Sequence, residues 1–117
     1  MIEDDAIGAF GALAHADRLA AYRLLIRHAP DGLPSGEIAA ALSVQPTRMS
    51  FHLAALERSG LVSARRTGRQ VFYAVDVAAM RALLGFLTDD CCRGHPEICA
   101  AVAPLPARRS GRKASRT

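Results

Sequence analysis

A change in the spacing of apolar residues near the middle of the chain is the strongest constraint on its fold. Residues 35–59 carry apolar side chains at the three- and four-residue spacing of helices, whereas residues 61–75 contain two runs rich in residues that favour strands. Between these runs lie residues 66–69, where Gly68 is typical of a hairpin turn. The pattern predicts helices followed directly by a two-stranded hairpin.

Two short helices are predicted before the hairpin. They are joined by residues 43–45, and the second begins with Pro46, a residue favoured in the first turn of a helix. In the second helix, Met49, Leu53 and Leu56 recur at helical spacing, so this apolar side is predicted to face the core. A close pair of helices of this kind is typical of a helix-turn-helix unit, and the hairpin after it would form a wing.

Three further helices are predicted around this unit. One covers residues 4–14, a second begins at Asp17 and ends near Ala29, and the last follows Asp76. Asp17, Ser35 and Asp76 have short side chains with oxygen atoms that favour the N-cap position, so each is predicted to cap a helix. The fold class is therefore mainly α with a β-hairpin wing (α+β): a winged helix-turn-helix.

Polar side chains remain on the outer side of the second paired helix, near its N-terminus. This end of such a helix enters the major groove, where hydroxyl groups and arginine can bind phosphates or base edges. Arginines in a wing suit phosphates or the minor groove. The predicted DNA-binding residues are Gln45, Thr47, Arg48, Ser50, Phe51, His52, Arg65, Arg66 and Arg69. Two alternatives stay open: His52 also fits a half-buried packing role, and the wing arginines also fit a merely solvated turn.

The net charge of +4 is distributed unevenly. Residues 105–117 contain five basic residues and no acidic one, which leaves ten basic and eleven acidic residues in the remainder. Attraction to nucleic acid must therefore come either from a local basic patch or from this tail. We predict a DNA-binding and dimerisation domain with a cysteine site over residues 1–99, and a basic, disordered tail over residues 100–117.

Length and composition exclude several classes of protein. A chain of 117 residues fits one domain, and no apolar run approaches the length of a membrane span. The acidic first residues are opposite in charge to a secretory signal, so a cytoplasmic protein without a membrane partner is expected. The sequence has no Cys-x-x-Cys motif and no glycine-rich phosphate loop, and therefore predicts no enzyme.

The three cysteines lie close together after the last predicted helix. Cys91, Cys92 and Cys99 fall within nine residues, and a glycine and a proline between them allow the chain to turn back. Three thiolates complete the shell of trivalent arsenic or antimony, whereas structural zinc needs four ligands and would require His95 or water. The cluster indicates a site for a soft ion.

Three stretches resemble the arsenical-repressor (ArsR/SmtB) family of bacterial winged-helix regulators. They are residues 13–19 (LAHADRL), 45–53 (QPTRMSFHL) and 56–62 (LERSGLV), and the resemblance extends from residue 5 to about residue 99. It implies a homodimer built on the first and last helices that binds an inverted repeat of double-stranded operator DNA. The predicted dimerisation residues are Ile7, Phe10, Met80, Leu83, Leu84 and Leu87. The same apolar stripes also fit the core of a single chain.

The cysteine pattern is similar to one branch of this family, the arsenite sensors with adjacent cysteines after the last helix. Other members place cysteines on the recognition helix or histidines along the last helix, and this sequence has neither. The resemblance implies that Cys91, Cys92 and Cys99 bind As(III) or Sb(III) as inducer, with no prosthetic group. Binding would release operator DNA and derepress arsenic-resistance genes. The alternatives are a thiol redox switch, and sensing of Cd, Pb, Zn or methylarsenite at the same cysteines.

Overall fold

The computed structural model describes residues 2–88. Five helices and three short strands follow one another in the order α1 (Glu3–Leu13), α2 (Ala16–Arg27), β1 (Leu33–Pro34), α3 (Ser35–Leu42), α4 (Pro46–Arg58), β2 (Val62–Thr67), β3 (Gln70–Val75) and α5 (Val77–Thr88). This architecture confirms the winged helix-turn-helix fold. Cys91, Cys92, Cys99, the predicted boundary at residue 99 and the basic tail lie outside the described residues.

The core lies between the paired helices and the helices around them. Met49, Leu53 and Leu56 are fully buried, which confirms the predicted inner side of α4. Leu25 of α2 and Ile38 of α3 are also without exposed surface. Because one side of α4 is anchored in this core, the opposite side is held outward in a fixed orientation.

The wing is part of a three-stranded antiparallel sheet in the order β1-β3-β2. The β2–β3 hairpin closes with Thr67 opposite Gln70, and Gly68 takes a positive φ of 61° at the first turn position. Two-residue hairpin turns favour glycine there. The added strand β1 pairs with β3 through Leu33 and Pro34 only. A strand of two residues has no alternating pattern, so β1 could not be predicted from the sequence.

The helix starts differ in part from the predictions. Asp76 caps α5 as predicted, because its Oδ1 accepts a hydrogen bond of 3.0 Å from the backbone N–H of Ala79. The prediction for Ser35 is wrong, since it is the first residue of α3, and Pro34 holds the cap position without a side-chain bond. Pro34 also belongs to β1, so strand pairing fixes the backbone that enters α3.

The link between α3 and α4 turns through a left-handed residue. Ser43 has a φ of 56°, and the backbone N–H of Val44 donates to the carbonyl of Ala39. The same bonds end α4, where Gly60 has a φ of 85° and Leu61 donates to Leu56. This arrangement satisfies the last carbonyls of a helix and normally uses glycine at the left-handed position.

The Ser43→Gly variant is expected to be more stable than the wild type by about 0.5–1 kcal/mol, because it relieves the cost of a left-handed L-residue. Urea unfolding measures the difference. The converse Gly60→Ser variant is the matched control, because nothing lies within 4 Å of a Cβ atom at that position. It should lose a similar amount, and equal stability of all three proteins would contradict this explanation.

Candidate nucleic-acid interface

The outer side of α4 presents the side chains predicted to contact DNA. Thr47, Arg48, Ser50 and Phe51 are all exposed, and so is Gln45 at the start of the helix. Phe51 is 71% exposed although it is a large apolar residue. An exposed aromatic ring beside hydroxyl groups and an arginine can contact the methyl group of thymine, while the polar groups bind base edges or phosphates.

His52 differs from the other predicted DNA-binding residues. It is only 6% exposed, and its Nδ1 accepts a hydrogen bond of 3.2 Å from Nε of Arg18. Residue 52 lies at the edge of the buried side of α4, and the packing of this edge against α2 buries the ring. His52 is therefore a packing residue that is bound to α2, and it is not available to a phosphate.

The start of α2 forms a polar corner against α4, here called the α2 corner and consisting of His15, Asp17 and Arg18. The predicted cap Asp17 is wrong, since α2 begins one residue earlier and His15 Nδ1 accepts from the backbone N–H of Asp17 at 3.1 Å. The ring of His15 lies 4.4 Å from that of His52, centroid to centroid. Asp17 Oδ2 lies 3.7 Å from Nε2 of His52 and 4.0 Å from a terminal nitrogen of Arg48.

The sequence predicted only a capping role for Asp17 and no role for Arg18, so neither was expected at the interface. The signal available was the run of residues 13–19, which was used only for the family resemblance. Arg18 lies 34 positions before its partner His52, so only the tertiary packing of α2 against α4 brings the two helices' residues together.

The α2 corner also brings together three potential cation ligands. One ligand atom from each of His15, Asp17 and His52 lies within 4.8 Å of the others. However, the bond from Arg18 to Nδ1 of His52 places the proton of the neutral ring on Nε2, which is the nitrogen that faces Asp17. The guanidinium groups of Arg18 and Arg48 add positive charge beside the three atoms. The arrangement therefore suits hydrogen bonding between helices better than it suits a cation.

Burial lowers the pKa of His52 below its ordinary value of 6.5, and the neighbouring His15 and Arg18 lower it further. The carboxylate of Asp17 raises the pKa of His52, and Arg48 lowers this pKa by a smaller amount. A buried ring that accepts from a guanidinium is stable only while it is neutral. His52 therefore belongs among the groups that couple folding to pH.

The free energy of unfolding is expected to fall as the pH drops below 6.5, because the unfolded chain then binds the proton more readily than the folded chain. The stabilising contribution is complete above pH 6.5 and is lost as the pH falls through the lowered pKa of His52. Urea unfolding between about pH 8 and about pH 5 measures this loss. His52→Asn, which keeps an acceptor for Arg18, should reduce the pH dependence. His28→Asn at the exposed end of α2 is the matched control, and an equal reduction in both variants would contradict the assignment.

The wing arginines are exposed but do not all lie at the tip. Only Arg69 is in the turn, whereas Arg65 and Arg66 are within β2, opposite Phe72 and Val71. The predicted turn of residues 66–69 was too long, because strand pairing continues to Thr67. The guanidinium of Arg65 lies 5.0 Å from the centre of the Phe72 ring, a cation–π contact that holds it along the strand.

The predicted dimerisation residues separate into two groups. Ile7 is 60% exposed, and Phe10, Leu84 and Leu87 are also exposed. Leu83 is only 5% exposed and Met80 packs against the core, so these two complete the core of the single chain. For Leu83 the structure thus differs from the prediction, because α5 turns this side chain inward. Among residues 2–88, no helix is both long enough and apolar enough to cross a membrane.

Comparisons with known proteins agree with this architecture. A helix-turn-helix domain family matches residues 13–64, which include the α2 corner, α3 and α4. The transcriptional activator HlyU of Vibrio cholerae is 30% identical over 84 residues, which cover 72% of this chain and 75% of HlyU. The solved structure of reduced HlyU matches with a TM-score of 0.57 at 33% identity, over 72% of this chain and 88% of that chain.

Two further solved structures are similar. One is a homodimeric winged helix-turn-helix DNA-binding domain from Mycobacterium bovis, a possible ArsR-family regulator, with 34% identity, a TM-score of 0.58 and coverage of 74% of this chain and 81% of that chain. Another is described as a possible transcriptional regulator for arsenical resistance. It has 26% identity, a TM-score of 0.59 and coverage of 80% of this chain and 94% of that chain. These relatives agree with the exposed side of α4 and with the wing. The chain therefore belongs to the ArsR family of winged helix-turn-helix transcriptional regulators.

Proposed function

We propose that the protein is a homodimeric repressor that binds an inverted repeat of operator DNA and is released by As(III) or Sb(III) at Cys91, Cys92 and Cys99. The observation that carries the DNA-binding part is the division of α4 into two sides. Met49, Leu53 and Leu56 hold one side in the core, and the opposite side presents exposed polar residues and Phe51. A helix fixed in this way can enter a major groove without rearrangement.

The dimer is supported by exposed apolar side chains on α1 and α5. Ile7 and Phe10 lie three residues apart and share one side of α1, and Leu84 is exposed on α5. Exposed large apolar residues that share one side of a helix, as Ile7 and Phe10 do, mark a surface that another protein covers. The similar domain from Mycobacterium bovis is homodimeric. A two-fold dimer of this chain would place two α4 helices on the two halves of an inverted repeat.

The signal is proposed from the chemistry of the cysteines. Arsenite carries three hydroxyl groups, and three thiols can replace them, forming three As–S bonds and releasing three water molecules. The similar structure described as a possible regulator for arsenical resistance supports this choice of ligand. Gathering three sulfur atoms beyond α5 would change the position of that helix, and through the dimer the spacing of the two α4 helices.

A thiol redox switch is the second candidate, and it is favoured by the relative HlyU, because one of the similar HlyU structures is described as reduced. Peroxide would oxidise two of the thiols to a disulfide and be reduced to water. Cys99 with either Cys91 or Cys92 is the geometrically easier pair, because a disulfide between adjacent cysteines is strained. The two candidates use the same sulfur atoms and differ in the reagent that releases DNA.

A mobility-shift titration tests both candidates. The full-length protein is bound to a duplex from upstream of its own gene, with a scrambled duplex of equal length as control. Arsenite, antimonite, cadmium, zinc and peroxide are then added separately. We expect selective binding and release at the lowest concentration by arsenite or antimonite. Release by peroxide alone would replace metalloid sensing with the redox switch, and equal binding to both duplexes would contradict the repressor itself.

A further inference from the structure

We propose that Asp17 is a positioning residue for base recognition, whose carboxylate orients Arg48 toward a guanine in the major groove. This inference rests on the proposed function, because it requires α4 to be the helix that reads DNA. It adds a residue of α2 to the determinants of sequence selectivity, although α2 itself is not the reading helix.

The geometry places the Asp17 carboxylate between two residues of α4. Its Oδ2 lies 4.0 Å from a terminal nitrogen of Arg48 and 3.7 Å from Nε2 of His52. Arg48 and His52 are four residues apart and are therefore neighbours along the edge of α4 next to α2, with His52 buried and Arg48 exposed. His52 is buried, and its Nε2, which has no hydrogen-bond partner among the described residues, faces this carboxylate at 3.7 Å. The carboxylate is thus aimed at α4 and not at open solvent.

The Asp17 carboxylate is also held more firmly than a surface side chain. Its backbone N–H donates to His15, so the residue is fixed in the first turn of α2. Its side chain is 32% exposed, compared with 64% for Arg48. Arg18, the next residue, donates to His52 and fastens the same turn to α4. Arg48 is therefore the more exposed partner of this pair.

Arginine can serve a carboxylate and a guanine at the same time. Its planar guanidinium has five N–H donors, and a bidentate contact with O6 and N7 of guanine uses two of them. A carboxylate on another edge of the guanidinium restricts the rotamers of the side chain before DNA binds, so less freedom is lost on binding. The ion pair also strengthens when DNA excludes water from it.

The negative charge of Asp17 gives this proposal an unusual signature. Near the DNA surface it weakens attraction to phosphates of any sequence, because that attraction is electrostatic. It should therefore lower affinity for unrelated DNA while it raises affinity for the correct sequence. Removing the charge alone would raise affinity for both kinds of DNA and leave the ratio of the two affinities unchanged, so a fall in this ratio separates positioning from simple repulsion.

The test compares the wild type with Asp17→Asn on two duplexes. One is the sequence that the wild-type protein selects from a randomised pool, and the other is an unrelated duplex of equal length. We expect Asp17→Asn to bind the unrelated duplex more tightly and to lose about tenfold in the ratio of selected to unrelated affinity. Replacing one guanine in each half-site by 7-deazaguanine, which lacks N7, should weaken binding of the wild type by about fivefold or more, and binding of Asp17→Asn much less.

Three matched variants complete the test. Asp31→Asn removes the same charge from the exposed loop between α2 and β1 and should keep the selectivity ratio. Asp17→Glu keeps a carboxylate and should recover part of the selectivity ratio that Asp17→Asn loses. Arg48→Lys keeps the positive charge without the planar fork and should lose the ratio as Asp17→Asn does. Thermal unfolding of each variant separates loss of fold from loss of selectivity.

An unchanged ratio in Asp17→Asn, or an equal fall in Asp31→Asn, would overturn the positioning role and leave the proposed repressor intact. Absence of any sequence preference in the wild type would overturn both.

Discussion

The Cys92→Ser variant is expected to bind operator DNA as tightly as the wild type and to remain bound when arsenite is added. The substitution removes one of three As–S bonds and leaves α4 and the wing unchanged, because Cys92 lies beyond the last residue of α5. Fluorescence anisotropy of a labelled operator, titrated with arsenite, measures both properties in one experiment. The concentration that releases half of the DNA should rise by at least about 100-fold.

The size of this effect follows from the change that an inducer must produce. Shifting a two-state repressor from 99% bound to 1% bound requires a preference of about 5.5 kcal/mol for the form that has low DNA affinity. Two sulfur bonds do not fill the three-coordinate shell of As(III), so a variant with two thiols loses much of that preference.

Four further variants locate the site. Cys91→Ser and Cys99→Ser should behave like Cys92→Ser, while His95→Ala should respond like the wild type if three thiolates suffice. Release of all three serine variants at the wild-type arsenite concentration would place the inducer elsewhere. When peroxide is the titrant instead, a response lost in Cys99→Ser and in only one of the other two would favour a disulfide pair. The triple serine variant serves as the baseline without thiols.

The Ile7→Glu variant is expected to be a folded monomer that binds operator DNA at least about 100-fold more weakly than the wild type. Ile7 is 60% exposed in the single chain, so glutamate costs little in the monomer. In a two-fold interface the same substitution would bury two carboxylates, which is costly without partners. Loss of the second α4 helix then removes the gain from binding two half-sites together. Sedimentation and anisotropy measure the two effects.

Phe51→Glu is the matched control, because it introduces the same charge at an exposed aromatic position on α4. It should remain a dimer and lose DNA binding, which separates assembly from recognition. A dimeric Ile7→Glu protein with normal operator affinity would show that α1 does not form the interface.

Most of the fold could be predicted from local patterns in the sequence. Met49, Leu53 and Leu56 determine which side of α4 is buried, and Gly68 marks the hairpin turn. These features depend on residues a few positions apart, which is the range over which helix and turn preferences act. The strand β1 could not be found this way, because its two residues are defined by pairing with β3.

The candidate interface was less predictable than the fold. The exposure of Thr47, Arg48 and Ser50 follows from the helical period, but the burial of His52 depends on Arg18, which donates to it from α2. Spacing on α4 places residue 52 near the boundary between the two sides, so packing against Arg18 of α2 decides whether its side chain is buried. The α2 corner arises from the same tertiary packing and has no local signature.

The most direct test of the account is methylation protection of guanine N7, which lies in the major groove. The wild-type dimer should protect guanines in two half-sites about one helical turn, or a multiple of it, apart. Arg48→Ala should lose this protection, and a chain without residues 105–117 should keep it at lower overall affinity. Protection that survives Arg48→Ala and disappears with the tail would show that the basic tail binds the DNA and that α4 does not read it.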